Sequence, residues 1–395
     1  MREGIKTAAF AAVALVLSVV AALRQPEAAT PRILSDQGEL FYPNFRDPAA
    51  VRSIEILDYD EATATARPFK VAFERGRWVI ASHHNYPVEA ADRMARTAAA
   101  LLDLRKDGVV SDSAEQHGRY GVIDPLDTKV TTLVGRGKRV TLRDRHGAVL
   151  ADFVFGKPVE GKPGYRYVRV PGQKRTYAVK TDADPSARFA DWVEGGLLRL
   201  SAASIRKIAV HRYQIDELAG RLTHVRSVTV TREGGQWKAS GEEPVNITAA
   251  QALASALSGL RAVDVRPKPP TLAEDLRAGK IALTLEAALS LRQRGFFLTP
   301  GGRLLANAGE VTVETDQDVI YTLRFGEVSG SADPRAADGA IGDNRFLLLT
   351  ARAAKEAAEP LARSLNDRFA GWYYVITNAD YRTLTLQTAT PLRGK

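Results

Sequence analysis

The chain contains no cysteine in its 395 residues, and its six histidines are scattered apart from the neighbours His83 and His84. The missing cysteine excludes disulfide bonds, thiolate nucleophiles and cysteine-ligated zinc. It also excludes a lipoprotein anchor, because that lipid is carried on a cysteine. Adjacent strand residues point to opposite faces, so the histidine pair would chelate poorly, and a polar turn is the simpler interpretation. The sequence predicts no metal ion.

Motifs of nucleotide-binding and hydrolytic enzymes are absent as well. The stretch from Gly135 to Lys138 has neither the spacing nor the following Ser or Thr of a phosphate-binding loop. No nucleophile elbow occurs. The close carboxylates Asp58 and Asp60 fit a strand end, and Asp316 and Asp318 fit a hairpin turn. The sequence therefore predicts no catalytic residue and no cofactor.

Charge is not concentrated anywhere along the chain. Lysine and arginine number 55 against 46 acidic residues, a net charge of +9, but the two signs alternate, as in Arg143-Asp144-Arg145. A nucleic-acid-binding protein more often gathers its basic residues into one patch with interleaved aromatic residues. We interpret the excess as a solvated basic surface and expect no nucleic-acid partner.

The N-terminal residues 1–24 form a separate unit. Thr7 to Leu23 carry no charge, with Arg2 and Lys6 before them and Arg24 after them. A run of this length is about the shortest that spans a bilayer. We predict a retained single-pass anchor in the cytoplasmic (inner) membrane, with a cleaved signal peptide as the alternative. Residues 25–48 read as a linker, and the bulk of the chain is expected in the periplasm.

An internal repeat accounts for the remainder. Trp78 and Trp237 are 159 residues apart, and the same offset relates Met94 to Leu253. So long a period indicates duplicated domains rather than a solenoid. We predict a first repeat at 49–200 and a second at 201–395. The offset also relates Val71 to Val230, Gly76 to Gly235, Val88 to Ile247, Ala91 to Ala250, Ala98 to Leu257 and Leu101 to Leu260.

Residue periodicity predicts the same α+β pattern in both copies. After a hairpin, apolar residues at i, i+3 and i+4 intervals predict a helix over 88–102 and its counterpart over 247–260. Alternating patterns then predict strands, among them 130–134 and 381–387, and the insertion 280–293 is predicted helical. The fold expected is two tandem related lobes, each an antiparallel sheet packed by one main amphipathic helix, behind the N-terminal transmembrane helix.

A further shared signature ends each predicted copy, Arg188-Phe189-Ala190-Asp191-Trp192 and Arg368-Phe369-Ala370-Gly371-Trp372. The arginine and tryptophan of each are four residues apart, a helical spacing at which the guanidinium can stack on the indole. We interpret Arg188, Trp192, Arg368 and Trp372 as staples at the lobe ends. A partner-contact surface is the alternative.

Several stretches resemble a known family. They are the apolar N-terminus, Arg77-Trp78-Val79-Ile80 with Tyr86-Pro87-Val88, Tyr120-Gly121-Val122 ahead of Asp124-Pro125, and the segment Tyr321–Gly326. Together they resemble the bacterial domain-of-unknown-function 4340 family, whose members are membrane-anchored, contain a repeated domain and are encoded beside gliding-motility-type ABC transporters. The likeness covers nearly the whole chain after about residue 50 and implies no catalytic residues.

The resemblance implies a non-enzymatic extracytoplasmic accessory protein of an ABC-transporter-type complex, acting as a scaffold or partner-binding module. Its expected partners are transporter or auxiliary membrane subunits. Two alternatives stay open. One is an envelope hydrolase acting on glycan or peptide in a cleft between the lobes. The other, prompted by the net charge of +9, is a binding module for an anionic surface polymer.

Overall fold

The structure is a computed structural model that describes residues 36–193, 195–216, 221–241, 247–279, 284–299, 301–330 and 343–387. The apolar segment Thr7–Leu23 lies outside these ranges, so the membrane anchor stays a prediction. Within them, no helix is long and apolar enough to cross a bilayer.

The first sheet has nine antiparallel strands. They include β1 (Ser53–Asp60), β2 (Thr65–Glu74), β3 (Arg77–Ile80), β4 (Tyr86–Pro87), β5 (Gly108–Ser111), β6 (Lys138–Arg143), β7 (Val149–Pro158), β8 (Tyr165–Arg169) and β9 (Thr176–Lys180). Their order across the sheet is β4-β3-β2-β1-β6-β7-β8-β9-β5. The turn between β2 and β3 places Arg75 and Gly76 at positive φ (50° and 81°), as a two-residue type I′ hairpin requires.

The second large sheet has eight antiparallel strands in the order β12-β11-β10-β16-β17-β18-β19-β13, and β14 pairs with β15 separately. The hairpin between its strands β11 and β12 also turns through two left-handed residues, Gly234 and Gly235. The strand bounds are β10 (Ile205–Asp216), β11 (Arg221–Glu233), β12 (Gln236–Gly241), β13 (Asp264–Pro267), β14 (Phe296–Leu298), β15 (Leu304–Ala306), β16 (Glu310–Thr315), β17 (Val319–Val328), β18 (Arg345–Ala353) and β19 (Trp372–Ile376).

The α-helices of the described residues are α1 (Ala91–Leu102), α2 (His117–Tyr120), α3 (Phe189–Trp192), α4 (Ile247–Gly259), α5 (Pro270–Ala278), α6 (Leu285–Arg292), α7 (Glu359–Ala370) and α8 (Asn378–Leu384). Helix α1 buries Met94, Ala98 and Leu101, and α4 buries Ala250, Leu253, Ala254 and Leu257, whereas the predicted stripe positions Ala91, Ala95 and Ile247 are exposed. Both helices contribute to one apolar core that contains side chains of both large sheets. The predicted combination of antiparallel sheets and helices is confirmed.

The insertion of the second half builds a second, smaller core. Helices α5 and α6 and the β14–β15 hairpin pack with β18 and β19, and the Phe296 ring stacks on Tyr373 at 5.8 Å. The predicted helix at 280–293 is confirmed over Leu285–Arg292, where Thr284 caps the N-terminus by accepting from Ala287 N. Helix α5, which begins at a proline, was not predicted from periodicity.

Three local predictions are wrong, each because a polar contact or strand pairing outweighs the apolar pattern. Residues 130–134 form a loop, since Arg136 donates to five carbonyls in and before this segment, those of Asp124, Pro125, Asp127, Val130 and Thr132. Residues 381–387 fall in and after α8, whose first turn is capped by Thr377. Helix α1 begins at Ala91 rather than residue 88, because β4 pairs with β3.

We predict that Met94→Ala and Leu253→Ala destabilise the protein by similar amounts, about 2–5 kcal/mol each, because each leaves a cavity under a helix. Urea unfolding would measure both. The exposed Arg96→Ala on α1 is the control and should change the free energy of unfolding by less than about 0.5 kcal/mol. A loss below about 1 kcal/mol at either core position would contradict the burial described here.

Candidate binding cleft at the junction of the two sheets

The edge of the first sheet packs directly on the second sheet through Tyr86. Its ring lies 5.1 Å from that of Trp372 and 5.2 Å from that of Phe189, edge-on or tilted. His84 and Asn85 adopt left-handed conformations (φ 57° and 59°), which turn the chain from a short 3-10 helix into β4. Tyr86 is 4% exposed, so this local turn fixes a buried contact between the sheets.

Polar contacts reinforce the junction. Arg199 Nη2 donates to Glu89 Oε1 at 2.9 Å, and Leu197 N donates to Leu260 O at 2.6 Å. His83 Nε2 lies 3.9 Å from Asp264 Oδ1. Burial lowers the pKa of His83 more than the nearby Asp264 charge raises it, so the imidazole is mainly neutral at neutral pH. The His83 contact is therefore chiefly one of packing.

A cleft of about 520 Å³ opens beside this contact. Its volume falls within the range of ordinary ligand sites. One wall comes from β3, β4 and the approach to α1, and the other from α5, the end of α7 and the start of β19. The lining side chains are aromatic, apolar and charged: Arg77, Trp78, Tyr86, Pro87, Val88, Glu89, Val193, Arg199, Arg277, Asp367, Arg368, Gly371 and Trp372.

The cleft carries more positive than negative charge, with four arginines and two carboxylates. Glu89 is paired with Arg199, and Asp367 lies 3.9 Å from Arg277 Nε. Among the residues that the structure describes, neither Arg77 nor Arg368 has an acidic partner. Two guanidinium groups thus remain without a counter-ion at this site.

Arg368 is the more buried of these two and lies among aromatic rings. Its Cζ is 5.7 Å from the centre of the Phe369 ring, and Nη1 is buried without a hydrogen-bond acceptor in the described structure. Burial raises the pKa of Tyr86, although Arg368 acts to lower it, and burial raises the pKa of Tyr374 well above its ordinary value. These phenols stay neutral and do not balance the arginine.

The buried Lys268 binds the backbone of the turn that connects Arg368 to Trp372. Lys268 Nζ donates to Trp372 O at 2.6 Å and Phe369 O at 3.1 Å, and Lys268 N donates to Gly371 O at 2.9 Å. The three carbonyls belong to the turn between α7 and β19, where a helix C-terminus leaves acceptors unpaired. Burial lowers the pKa of Lys268 to about 7.

A family model described as "Domain of unknown function (DUF4340)" matches residues 78–279, which is just over half of the chain. The chain belongs to this family. No curated protein and no solved structure matches it. The matched part of this DUF4340 protein includes the cleft wall from Trp78 to Glu89 and Arg277, whereas Arg368 and Trp372 lie beyond it.

The structure separates the two sequence signatures of this DUF4340 chain. Arg368 and Trp372 line the cleft, but Trp192 is buried elsewhere, 1% exposed, with its Nε1 donating to Ser186 O. Arg188 pairs with Asp191, and the guanidinium over the Trp192 ring is that of Arg93, at 5.6 Å.

Trp192 and Trp372 also lie at different positions in the fold. Trp192 ends α3, which follows β9, whereas Trp372 begins β19. The two signatures are therefore similar in sequence but do not occupy equivalent positions in the structure. The assignment of these residues as staples or partner contacts stays a prediction.

The other cleft residues were not predicted as a site. Arg77, Trp78 and Tyr86 stood out only as fold motifs, and nothing marked Arg199 or Arg277. The residues that line the cleft come from segments up to 295 residues apart in sequence (Arg77 to Trp372), and the packing of the first sheet's edge on the second sheet brings them together. A local pattern cannot encode that packing.

We predict that wild-type stability rises between about pH 7 and pH 10 partly because of Lys268. Its pKa in the folded protein is about 7, below that of an exposed lysine, so the unfolded chain binds the extra proton in this interval. The contribution approaches about 1.4 kcal/mol per pH unit. Chemical unfolding at several pH values, compared with Lys268→Met, isolates it. Parallel curves for the two proteins would contradict the assignment.

Proposed function

We propose that this DUF4340 protein is a non-enzymatic accessory protein of an ABC-transporter-type complex. The N-terminal helix would anchor it in the cytoplasmic membrane, and two related lobes outside the cytoplasm would form a scaffold that docks a partner subunit. The observation that carries this is the junction cleft, which presents Trp78 and Trp372 together with four arginines, from β3, α5, α7 and the segment before β10. Tryptophan, tyrosine and arginine are the residues most enriched where proteins bind partners.

The lobes are proposed to descend from one duplicated module. The second sheet's order, β12-β11-β10-β16-β17-β18-β19-β13, follows that of the first when β4 is left out and strands are matched in chain order. With β4 again left out, the main helix of each half follows the third strand, and the hairpin that ends in this strand (β2–β3 and β11–β12) turns through two left-handed residues at the 159-residue offset. Met94 and Leu253 occupy comparable buried positions, which also supports the duplication.

The state of the carboxyl groups favours binding over acid–base catalysis. In the cleft, Glu89 pairs with Arg199 and Asp367 lies beside Arg277. Elsewhere burial acts to raise the pKa of Asp184, but hydrogen bonds and charges from Lys138 and Arg166 outweigh it and lower the pKa. The shifted pKa values of Asp36, Glu55 and Asp60 are lowered too. A glycosidase acid needs the opposite shift.

The position of Asp36, the first residue that the structure describes, fits a scaffold that extends from a membrane. Asp36 accepts from Tyr177 OH at 2.6 Å and from Arg175 Nη1 at 3.2 Å, beside β9. An anchor at Thr7–Leu23 would thus connect to the β9 side of the first sheet. The cleft lies at the opposite, β4 edge, roughly 35 Å away across the intervening strands. A partner docked there would be held away from the anchored side.

Capture of the intact protein from its own membranes tests the proposal. We expect an ABC-transporter or auxiliary membrane subunit to copurify in mild detergent, as identified by mass spectrometry. Arg77→Glu should reduce that recovery by about tenfold, since it reverses a charge on the cleft wall. Arg75→Glu, two residues away in the same hairpin and outside the cleft, is the matched control and should leave recovery unchanged.

Two results would count against the proposal. If the wild-type protein brings down no transporter or auxiliary subunit, the accessory role fails. If such a subunit is recovered equally with both charge-reversed variants, the protein docks, but through a surface other than the junction cleft.

A further inference from the structure

We propose that the ligand of the junction cleft is an acidic peptide segment of the partner. Its carboxylates would bind Arg77 and Arg368, and an apolar side chain between them would pack against Trp78 and Trp372. This inference rests on the proposed function, because it takes the ligand to be part of a protein.

The charges of the cleft select an anion. Arg199 and Arg277 each have a carboxylate within 4 Å, but Arg77 and Arg368 have none among the described residues. Arginine binds carboxylates through paired, charge-assisted hydrogen bonds. An acidic ligand would therefore meet two available guanidinium groups without having to displace an existing ion pair.

The surroundings of Arg368 also favour an anionic ligand. Its buried Nη1 has no acceptor in the described structure, and the neighbouring rings of Tyr86, Tyr374 and Phe369 supply no negative charge. A buried charged donor without a partner is unfavourable, whereas the same donor bound to a carboxylate is favourable. A carboxylate of the ligand would accept a hydrogen bond from this Nη1, which has no acceptor in the described part of the chain.

Lys268 binds backbone carbonyls whose partial negative charge would otherwise repel an anion. The C-terminus of α7 adjoins the cleft, and the unpaired carbonyls of a helix C-terminus carry partial negative charge. Lys268, which is not among the residues that line the cleft, binds the carbonyls of Phe369, Gly371 and Trp372. The arginines therefore dominate the potential inside the cleft.

The arrangement of the walls favours an extended ligand over a compact one. Arg77 and Trp78 come from β3, whereas Arg368 and Trp372 come from α7 and β19, so the two cations are supplied by different halves of the fold. A single phosphate suits one cluster of donors. A chain with spaced carboxylates and an apolar side chain between them can reach both walls.

Binding of defined probes to the full-length protein in detergent tests this inference, with tryptophan fluorescence as the readout. The probe is an acetylated, amidated hexapeptide of alternating glutamate and leucine, and the same peptide with glutamine is the uncharged control. We expect binding of the glutamate peptide only. Arg368→Gln and Arg77→Gln should each weaken it about tenfold or more, because each removes a charge-assisted contact. Arg75→Gln should bind as the wild type does.

Thermal melting checks that each variant is folded. Because Arg77 is exposed, Arg77→Gln remains a valid test even if Arg368→Gln unfolds. Equal binding of the two peptides, or binding that survives both arginine substitutions, would overturn the inference. So would the absence of peptide binding alongside binding of inorganic phosphate or of a glucuronic-acid hexamer, which would point to a small anion or an acidic glycan.

The experiments distinguish a failure of the acidic-peptide inference from a failure of the proposed accessory function. Peptide binding without recovery of a transporter subunit would leave the ligand chemistry standing and remove the accessory role. Recovery of a subunit that depends on Arg77, with no affinity for the acidic peptide, would keep the docking site and reject an acidic segment as its ligand.

Discussion

The packing of Tyr86 between Phe189 and Trp372 is the contact on which the junction depends. A two-residue strand carries the tyrosine, and the left-handed residues His84 and Asn85 bring it to the edge of the first sheet. Because the ring is buried between elements of both sheets, the cleft walls beside it are held in fixed positions. Wall rigidity matters for binding, since side chains that are already positioned lose less conformational entropy on association.

Several basic residues in this fold bind backbone carbonyls inside the structure. Arg136 organises a loop of the first half, Arg169 donates to Val122 O and Gln173 O, and Lys268 holds the turn after α7. Some of the basic groups that contribute to the net charge of +9 therefore form hydrogen bonds within the structure. The sequence-based interpretation as a solvated basic surface overlooked this, because alternation of charges says nothing about what each guanidinium contacts.

Local features of the chain were predictable where a single element decides them. The buried faces of α1 and α4 follow from apolar spacing, and the hairpin turns at Gly76 and Gly235 from residue preference. Prediction failed where a longer-range contact decides, as when pairing of β4 with β3 delays the start of α1. The cleft could not be predicted at all, because Arg77 and Arg368 become neighbours only through the meeting of two sheets.

The cleft differs from the rest of the charged surface in how its arginines are used. At most other positions described here a guanidinium is matched, by a carbonyl as for Arg136 or by a carboxylate as for Arg139 with Asp152. A fold under no other constraint would match Arg368 as well, because an unpaired buried donor lowers stability. Its pairing only with aromatic neighbours is the kind of local conflict that proteins tolerate at functional sites.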